Sequence, residues 1–211
     1  MPDLQIIGFP QSTFTRVVRI AAEEKGVPYE LVPEPPHSEA VNAIHPLGRL
    51  PVMRHGDLEL CESRAICGYI DETFDGPALI PGDAVGRARM DQWVSMTNTG
   101  LDPLLIRKYL FAYLFPSGPE DGPDREAIDG MLDDVNAHLG VIEKGVDGKT
   151  TIVGNSPTLA DFNLLPMLAY LKGTPEGGAR IAGSPALTAY FDHYAARPSF
   201  QATIPPPLPK D

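Results

Sequence analysis

Residues capable of chemistry stand at the start of two predicted helices. Ser12 and Thr13 follow one short apolar run, and Glu62 and Ser63 follow another. A helix N-terminus carries partial positive charge and free backbone N–H groups, so a hydroxyl there helps to bind an anion. Glu62 can in addition hold an ammonium group, so Glu62 and Ser63 together complement an α-amino acid. The simpler alternative at both positions is a helix cap.

Hydrophobic patterning in the first 77 residues indicates the elements that must position these side chains. Four short runs predict strands: Leu4 to Gly8, Tyr29 to Val32, Pro51 to Arg54, and Leu58 to Cys61. The residues His55-Gly56-Asp57 predict a hairpin turn between the last two. One helix begins near Ser12 and stops at Gly26, another spans Ser63 to Thr73, and Pro33 to Ile44 is expected to be a loop. This order predicts an α/β unit (βαβ-ββα) with a four-stranded mixed sheet.

Beyond residue 77 the patterning becomes helical. Helices are predicted over Arg87 to Phe115, Ala127 to Lys144, and Ala186 to Ala196, with a break from Pro116 to Asp124. Thr158 and Asp161 predict a capping box, in which the carboxylate reaches back to the backbone of Thr158. Residues 204–210 predict an extended, solvated tail. The expected organisation is a domain over 1–77, a linker over 78–86 and an all-helical domain over 87–211.

Composition excludes several classes of function. The 211 residues carry 28 acidic and 17 basic side chains, a formal charge of −11, which opposes binding to nucleic acid. No apolar run is long enough to cross a membrane, and the N-terminus does not resemble a signal peptide, so a cytoplasmic location is expected. Cys61 and Cys67 are not spaced as C-x-x-C and have no histidine cluster nearby, so neither a metal site nor a redox pair is predicted.

Five segments follow one another along the chain: GFPQSTFTRVVRIAAEEKGVPYELV, HPLGRLPVM, GDLELCESRAICGYI, TLADF and AARPSF. In their order and spacing they resemble segments of cytosolic glutathione transferases. The resemblance covers nearly the whole chain and is strongest to plant phi-type enzymes and their bacterial relatives. It implies a thioredoxin-like, glutathione-binding domain followed by an all-α helical bundle, in agreement with the patterning. It also implies an enzyme that forms a homodimer and conjugates glutathione, as co-substrate and without a metal, to hydrophobic electrophiles in detoxification.

By this resemblance Ser12 is the catalytic hydroxyl that stabilises the glutathione thiolate, with Thr13 as a weaker candidate and Thr15 as the weakest. A free thiol has a pKa of about 8.5, and lowering it by about two units requires about 2.7 kcal/mol. A hydrogen bond to a charged group supplies about 1.5–3 kcal/mol, and a helix N-terminus adds about 0.3–1 kcal/mol. One hydroxyl at a helix start is therefore sufficient. The stretch from Ser12 to Thr15 stands where a thioredoxin has its C-x-x-C, and the absence of cysteines excludes disulfide exchange there.

The resemblance also assigns the residues that bind glutathione. Leu50 is expected to precede a cis proline, Pro51, and to pair through its backbone with the cysteinyl part of the tripeptide. Glu62 and Ser63 are expected to hold the γ-glutamyl head, the alternative being a simple capping pair. Arg49 stands where the family usually has Gln or Lys, and we expect it to contact glutathione. His37 is a weaker candidate for the glycine carboxylate.

The remaining expectations concern the second substrate and the reaction type. A pocket for the electrophile is expected between the domains, lined by Phe9, Phe14, Leu110 and Leu114, although each of these could simply pack in the core. Asp161 is assigned to folding rather than to catalysis. Two alternative functions stay open: a glutathione-dependent lyase, peroxidase or isomerase that uses the same site, and a non-enzymatic interaction module with the transferase fold.

Overall fold

The computed structural model describes residues 3–118 and 122–207. These residues form two compact units. The first runs to Ala84 and takes in the chain again from Ala195 onward, whereas the second is Val85–Tyr194. The domain limits expected from the sequence, 1–77, 78–86 and 87–211, stay a prediction. The compact units differ from them mainly because the segment after Tyr194 returns to the first unit.

The first unit is built on a four-stranded mixed sheet, as predicted. Its strands are β1 Leu4–Ile7, β2 Glu30–Val32, β3 Val52–His55 and β4 Leu58–Cys61, in the spatial order β2-β1-β3-β4. Strands β1 and β2 are parallel, and β3 is antiparallel to both β1 and β4. Gly56, at a φ of 57°, supplies the left-handed conformation in the predicted β3–β4 hairpin turn.

The strand register aligns one residue of each strand in a single row across the sheet. Ile7 pairs with Val32 on one side and with Val52 on the other, and Val52 pairs with Cys61. Val32, Ile7 and Cys61 end their strands, whereas Val52 begins β3. The segments that leave β1, β2 and β4, and the segment that enters β3, therefore all meet at the same edge of the sheet.

The prediction of a loop from Pro33 to Ile44 is wrong in one respect, because this segment contains a helix. Helix α2, Glu39–Ile44, is capped by the Ser38 hydroxyl, which accepts from the Val41 N–H at 3.3 Å. Val41 is fully buried and packs with Ile7 and Val52. A helix of six residues with one fully buried side chain has no recognisable period, so the pattern missed it.

The other two helices of the first unit up to Ala84 agree with the prediction. Helix α1, Thr13–Lys25, begins after Ser12 and ends at Gly26, whose φ of 67° is typical of a helix C-terminus. Helix α3 is Ser63–Thr73, as predicted. The chain after α3 is held to it by Asp71, whose carboxylate accepts from the backbone N–H groups of Leu79 and Ile80 at 2.8 and 3.1 Å. This attachment explains why the first unit extends to Ala84.

The chain after Ala195 packs on α1 and includes a short helix, Pro198–Ala202, numbered α11. Arg16 and Arg19 of α1 are buried, with 3% and 9% of their surface exposed. Arg16 donates to the Phe200 carbonyl at 3.2 Å, and Arg19 donates to the Thr203 carbonyl at 3.3 Å. Carbonyl groups at a helix C-terminus carry partial negative charge, so these guanidinium groups stabilise the end of α11.

The predicted tail over residues 204–210 is described only to residue 207. Residues 204–207 have no regular secondary structure, and the side-chain amide of Gln11 donates to the Pro206 carbonyl at 2.9 Å. The described part of the tail is therefore attached to the first unit through Pro206, while residues 204, 206 and 207 are exposed to solvent, as the prediction expects.

The second unit is mostly helical, as predicted. The predicted pattern from Arg87 to Phe115 forms α4 Ala84–Met96, α5 Asp102–Leu104 and α6 Phe111–Leu114, with π-helical turns at Thr97–Leu101 and Leu105–Leu110. Four more helices follow: α7 Arg125–Val146, α8 Leu159–Lys172, α9 Pro175–Ala182 and α10 Pro185–Ala195. The sequence analysis missed α9, whose two glycines lower its helix propensity. Residues 119–121 of the predicted break lie outside the described residues. No helix within 3–118 and 122–207 has the length and hydropathy needed to span a membrane.

Asp161, in the first turn of α8, joins separate parts of the second unit. Its carboxylate accepts from the backbone N–H groups of Ile152 and Thr158, both at 2.8 Å, and from the Tyr190 hydroxyl at 2.9 Å. The bond from Thr158 is the one that the capping box predicts. The side chain is fully buried. Burial raises the pKa of the carboxyl, and the hydrogen bonds that it accepts oppose this increase.

Candidate functional site

The candidate site lies at the sheet edge defined by Ile7, Val32, Val52 and Cys61. The segment after Ile7 leads to Ser12, and the segment after Val32 leads to His37. Leu50 and Pro51 directly precede Val52, and Glu62 directly follows Cys61. The row of paired residues therefore brings four predicted site segments, separated by up to 50 residues in the sequence, to the same edge.

Ser12 is the N-terminal cap of α1. Its hydroxyl oxygen accepts from the Thr15 N–H at 3.3 Å, and its own N–H donates to the Phe9 carbonyl at 2.9 Å. A hydroxyl has one donor and two acceptor positions, and the cap occupies only an acceptor position. The Ser12 O–H is therefore compatible with donation to an anion while the oxygen caps the helix. The two alternatives considered for Ser12 do not exclude each other.

The two threonine hydroxyls that follow are more buried than Ser12. Thr13 has 6% of its surface exposed and Thr15 is fully buried, whereas Ser12 is half-buried. Neither threonine hydroxyl has a hydrogen-bond partner among the described residues. The Thr15 hydroxyl lies so close to Gly8 that a Cβ atom at residue 8 would stand 2.5 Å from it. Ser12 is thus the most accessible of the three candidate hydroxyls.

The Leu50–Pro51 peptide bond is cis, as predicted. Leu50 is half-buried, and its side chain packs against the cluster formed by Ile7, Val41 and Val52. Pro51 is buried. The side chain of Leu50 therefore anchors this segment to the core, beside the first residue pair of β3.

Glu62 and Ser63 lie at the start of α3. Glu62 has φ 70° and ψ 114°, a conformation that a non-glycine residue rarely adopts. Its carbonyl accepts the Ile66 N–H at 3.0 Å, but in the described structure its side chain makes no capping bond to α3. The Glu62 side chain is 67% exposed, whereas Ser63 is only 7% exposed. The Glu62 carboxylate is therefore presented outward, which weakens the alternative of a simple capping pair.

His37 and Arg49 belong to two segments that the structure brings together. The His37 N–H donates to the Gly48 carbonyl at 2.9 Å, and the Asn42 side-chain amide donates to the His37 carbonyl at 2.8 Å. A Cβ atom on Gly48 would stand 2.2 Å from Nδ1 of His37, so the imidazole lies directly against this glycine. Arg49 is the next residue and is exposed. The two candidates for a carboxylate contact are therefore neighbours.

The four residues predicted to line an electrophile pocket belong to different units. Phe9 and Phe14, in the first unit, are half-buried. Leu110 of the second unit is buried, with 4% of its surface exposed, and Leu114 is half-buried. The pocket itself stays a prediction.

Both cysteines are free thiols. Cys67 is fully buried, and burial raises the pKa of its thiol to about 12, so the thiol stays protonated at neutral pH. Among residues 3–118 and 122–207, no group of three or more His, Cys, Asp or Glu side chains is arranged to hold a metal ion.

His45 is a site residue that the sequence analysis did not single out. It is buried, with 3% of its surface exposed, and its Nε2 lies 3.4 Å from a carboxylate oxygen of Glu62. The contact joins residues that are 17 positions apart, and it depends on where α2 ends relative to β4. No local pattern in the sequence indicates such a contact.

Two stretches of the sequence match two domains of one family. Residues 6–78 match the glutathione S-transferase N-terminal domain, and residues 125–193 match the glutathione S-transferase C-terminal domain. The chain belongs to the glutathione S-transferase family. The predicted family, fold class and enzyme class, a glutathione transferase, are confirmed.

Individual relatives of this glutathione transferase agree with the family match. Glutathione S-transferase 1 of Triticum aestivum is 28% identical, with 95% of this chain and 93% of the relative covered. Glutathione S-transferase 3 of Zea mays is 29% identical, with 98% of both chains covered. A theta class glutathione S-transferase from Xanthomonas axonopodis pv. citri, solved with glutathione bound, has a TM-score of 0.83 at 25% identity and covers 99% of this chain and 100% of its own. Plant and bacterial members are thus both among the relatives, as predicted.

Proposed function

We propose that this glutathione transferase binds glutathione along the sheet edge and conjugates its thiolate to hydrophobic electrophiles. The observation that supports this proposal is the row formed by Val32, Ile7, Val52 and Cys61. Neighbouring strands lie about 4.8 Å apart, so four strands present an edge about 14 Å long. An extended tripeptide spans about 10 Å, which fits this edge.

The groups gathered at this edge match the groups of glutathione in kind. The segment after β2 leads to His37, whose imidazole lies against Gly48, the residue before Arg49, and Glu62 and Ser63 follow β4. In this proposal Arg49 binds the glycine carboxylate, since arginine can hold a carboxylate through two hydrogen bonds, and His37 is the second candidate for this contact. Glu62 binds the α-ammonium group of the γ-glutamyl residue, and Ser63 with the N-terminus of α3 binds its α-carboxylate.

The middle of the edge receives the cysteinyl residue. The backbone of Leu50, ahead of the cis bond to Pro51, pairs with the cysteinyl backbone in the manner of an added strand. The Ser12 hydroxyl then donates to the thiolate while it accepts the Thr15 N–H. Glutathione is a co-substrate in this scheme, and its thiolate attacks a hydrophobic electrophile.

The proposal is tested by glutathione binding to the Glu62→Gln and Ser63→Ala variants. We expect the wild type to bind glutathione, and each variant to bind more weakly by about 1.5–3 kcal/mol, the usual value of a hydrogen bond to a charged group. Titration calorimetry measures this difference. Glu72→Gln is the matched control, because Glu72 is an exposed residue near the other end of α3, about 15 Å away along the helix. Unchanged affinity in both site variants would refute the assignment.

We further propose that the enzyme is a cytoplasmic homodimer, on the basis of family membership alone. Light scattering at micromolar concentration should then give the mass of two chains, twice 22.8 kDa. The mass of a single chain under these conditions would contradict the proposed dimer.

A further inference from the structure

His45 lies at the junction between two parts of the proposed glutathione site. It follows α2 directly, and the turn after it leads to Arg49 and Leu50. Its imidazole lies 3.4 Å from the Glu62 carboxylate, which the proposed function assigns to the γ-glutamyl head. The side chain of His45 is 4% exposed and that of Glu62 is 67% exposed. A buried imidazole thus contacts a carboxylate that is open to solvent and to a ligand.

Three hydrogen bonds fix the position of the His45 imidazole and backbone. Its N–H donates to the Val41 carbonyl at 2.8 Å, and its carbonyl accepts the Gly48 N–H at 2.9 Å. Its Nδ1 accepts the Leu47 N–H at 3.0 Å. A backbone N–H can only donate, so Nδ1 carries no proton and the ring proton is on Nε2. The group that faces Glu62 is therefore the N–H of a neutral imidazole.

The protonation state of this imidazole matters for ligand binding. A cationic neighbour would neutralise Glu62 and compete with an incoming ammonium group, whereas a neutral N–H orients the carboxylate and leaves its negative charge intact. Orientation is needed here because the Glu62 backbone has the unusual φ of 70° and its side chain makes no capping bond to α3 in the described structure. The contact with His45 is suited to hold this exposed side chain in one conformation.

We propose that His45 is a positioning residue for glutathione: it holds the Glu62 carboxylate in the orientation that binds the γ-glutamyl ammonium group. This inference rests on the proposed function of Glu62 and adds to it a buried residue that does not itself touch the ligand. It also predicts that the turn from His45 to Leu50 and the start of α3 contribute jointly, rather than independently, to glutathione binding.

Two substitutions of His45 distinguish the contributions of its two ring nitrogens. Asparagine at residue 45 keeps an acceptor near the position of Nδ1 and loses the N–H group that faces Glu62 at 3.4 Å, whereas glutamine keeps a donor near the position of Nε2. We expect His45→Asn to weaken glutathione binding by about 3- to 10-fold, as the loss of one uncharged donor implies. His45→Gln should restore most of this loss. The KM for glutathione should rise in His45→Asn, while kcat and the KM for the electrophile should change little.

Two controls show whether the effect passes through Glu62. In a Glu62→Gln background, His45→Asn should have no further effect, since the carboxylate that it orients is absent. Glutathione without its α-amino group should bind equally to the wild type and to His45→Asn. Equal effects of His45→Asn in both backgrounds, or equal affinity of the wild type and His45→Asn for glutathione, would overturn the inference and leave the proposed function standing. A wild type that does not bind glutathione would overturn both.

One measurement needs no substitution at residue 45 and serves if His45→Asn does not fold. Nitrogen-15 NMR of the imidazole should show the neutral form with the proton on Nε2. The Nε2 resonance should shift in Glu62→Gln, which removes the charge of an exposed side chain, and should not shift in Glu72→Gln. A proton on Nδ1, or an Nε2 resonance that is the same in wild type and Glu62→Gln, would contradict the proposed contact.

Discussion

Replacement of Ser12 by alanine should raise the pKa of enzyme-bound glutathione by about one to two units. The Ser12 O–H is the only donor of that side chain, and the proposed site uses it to stabilise the thiolate. Loss of a hydrogen bond to a charged group costs about 1.5–3 kcal/mol, so the conjugation rate at pH 7 should fall by about 10- to 150-fold. Affinity for glutathione should change less, because both ends of the tripeptide are bound elsewhere. Ultraviolet titration of the bound thiolate and steady-state kinetics measure these two effects.

The structure makes the control for this experiment more specific. Ser12 also accepts the Thr15 N–H, so Ser12→Ala should lower the stability of the protein by about 1 kcal/mol through loss of the cap. A role in capping alone predicts this loss of stability with an unchanged thiol pKa. Thr13→Ala, which removes a hydroxyl without a partner among the described residues, is the matched variant. If Thr13→Ala shifts the thiol pKa and Ser12→Ala does not, Thr13 is the catalytic hydroxyl.

Replacement of Asp161 by alanine should lower the free energy of unfolding by about 3–5 kcal/mol. It removes the acceptor of two buried backbone N–H groups and of the Tyr190 hydroxyl, and each buried donor without a partner costs about 1–3 kcal/mol. The change also leaves a cavity in a fully buried position. Urea denaturation followed by circular dichroism measures the loss.

Two further variants test whether the effect comes from the hydrogen bonds. Asp161→Asn keeps the size and one acceptor oxygen, so it should be less destabilising than the alanine variant. Asp192→Ala, which removes an exposed ion pair with Lys172, should change stability by about 1 kcal/mol or less. Equal stability of Asp161→Ala and Asp192→Ala would contradict the structural role assigned to Asp161.

Those parts of the fold that depend on neighbouring residues could be predicted from the sequence. The β3–β4 hairpin around Gly56, the end of α1 at Gly26 and the capping bond between Thr158 and Asp161 each involve residues a few positions apart. Such contacts leave a local signature in the choice of residue. The candidate site was predicted largely through the family resemblance, because the residues that form it lie far apart in the sequence.

The features that the sequence analysis missed depend on contacts between distant segments. Helix α2 and helix α11 are five or six residues long, so neither shows a helical period, and they are formed by packing on the rest of the first unit. The contact between His45 and Glu62 depends on the meeting of α2 with β4. Arg16 and Arg19 would be assigned to the surface by residue type, yet both are buried because the carbonyl groups of α11 are available to them.

The return of the chain to α1 has a consequence for the order of events during synthesis. Residues 197–203, which cover Arg16 and Arg19, are translated only after the whole of the second unit. Until then the two guanidinium groups lack these carbonyl partners and must stay hydrated, so one face of α1 remains uncovered on the nascent chain. Because domains otherwise fold in the order in which they leave the ribosome, the first unit of this enzyme starts folding first and is completed last.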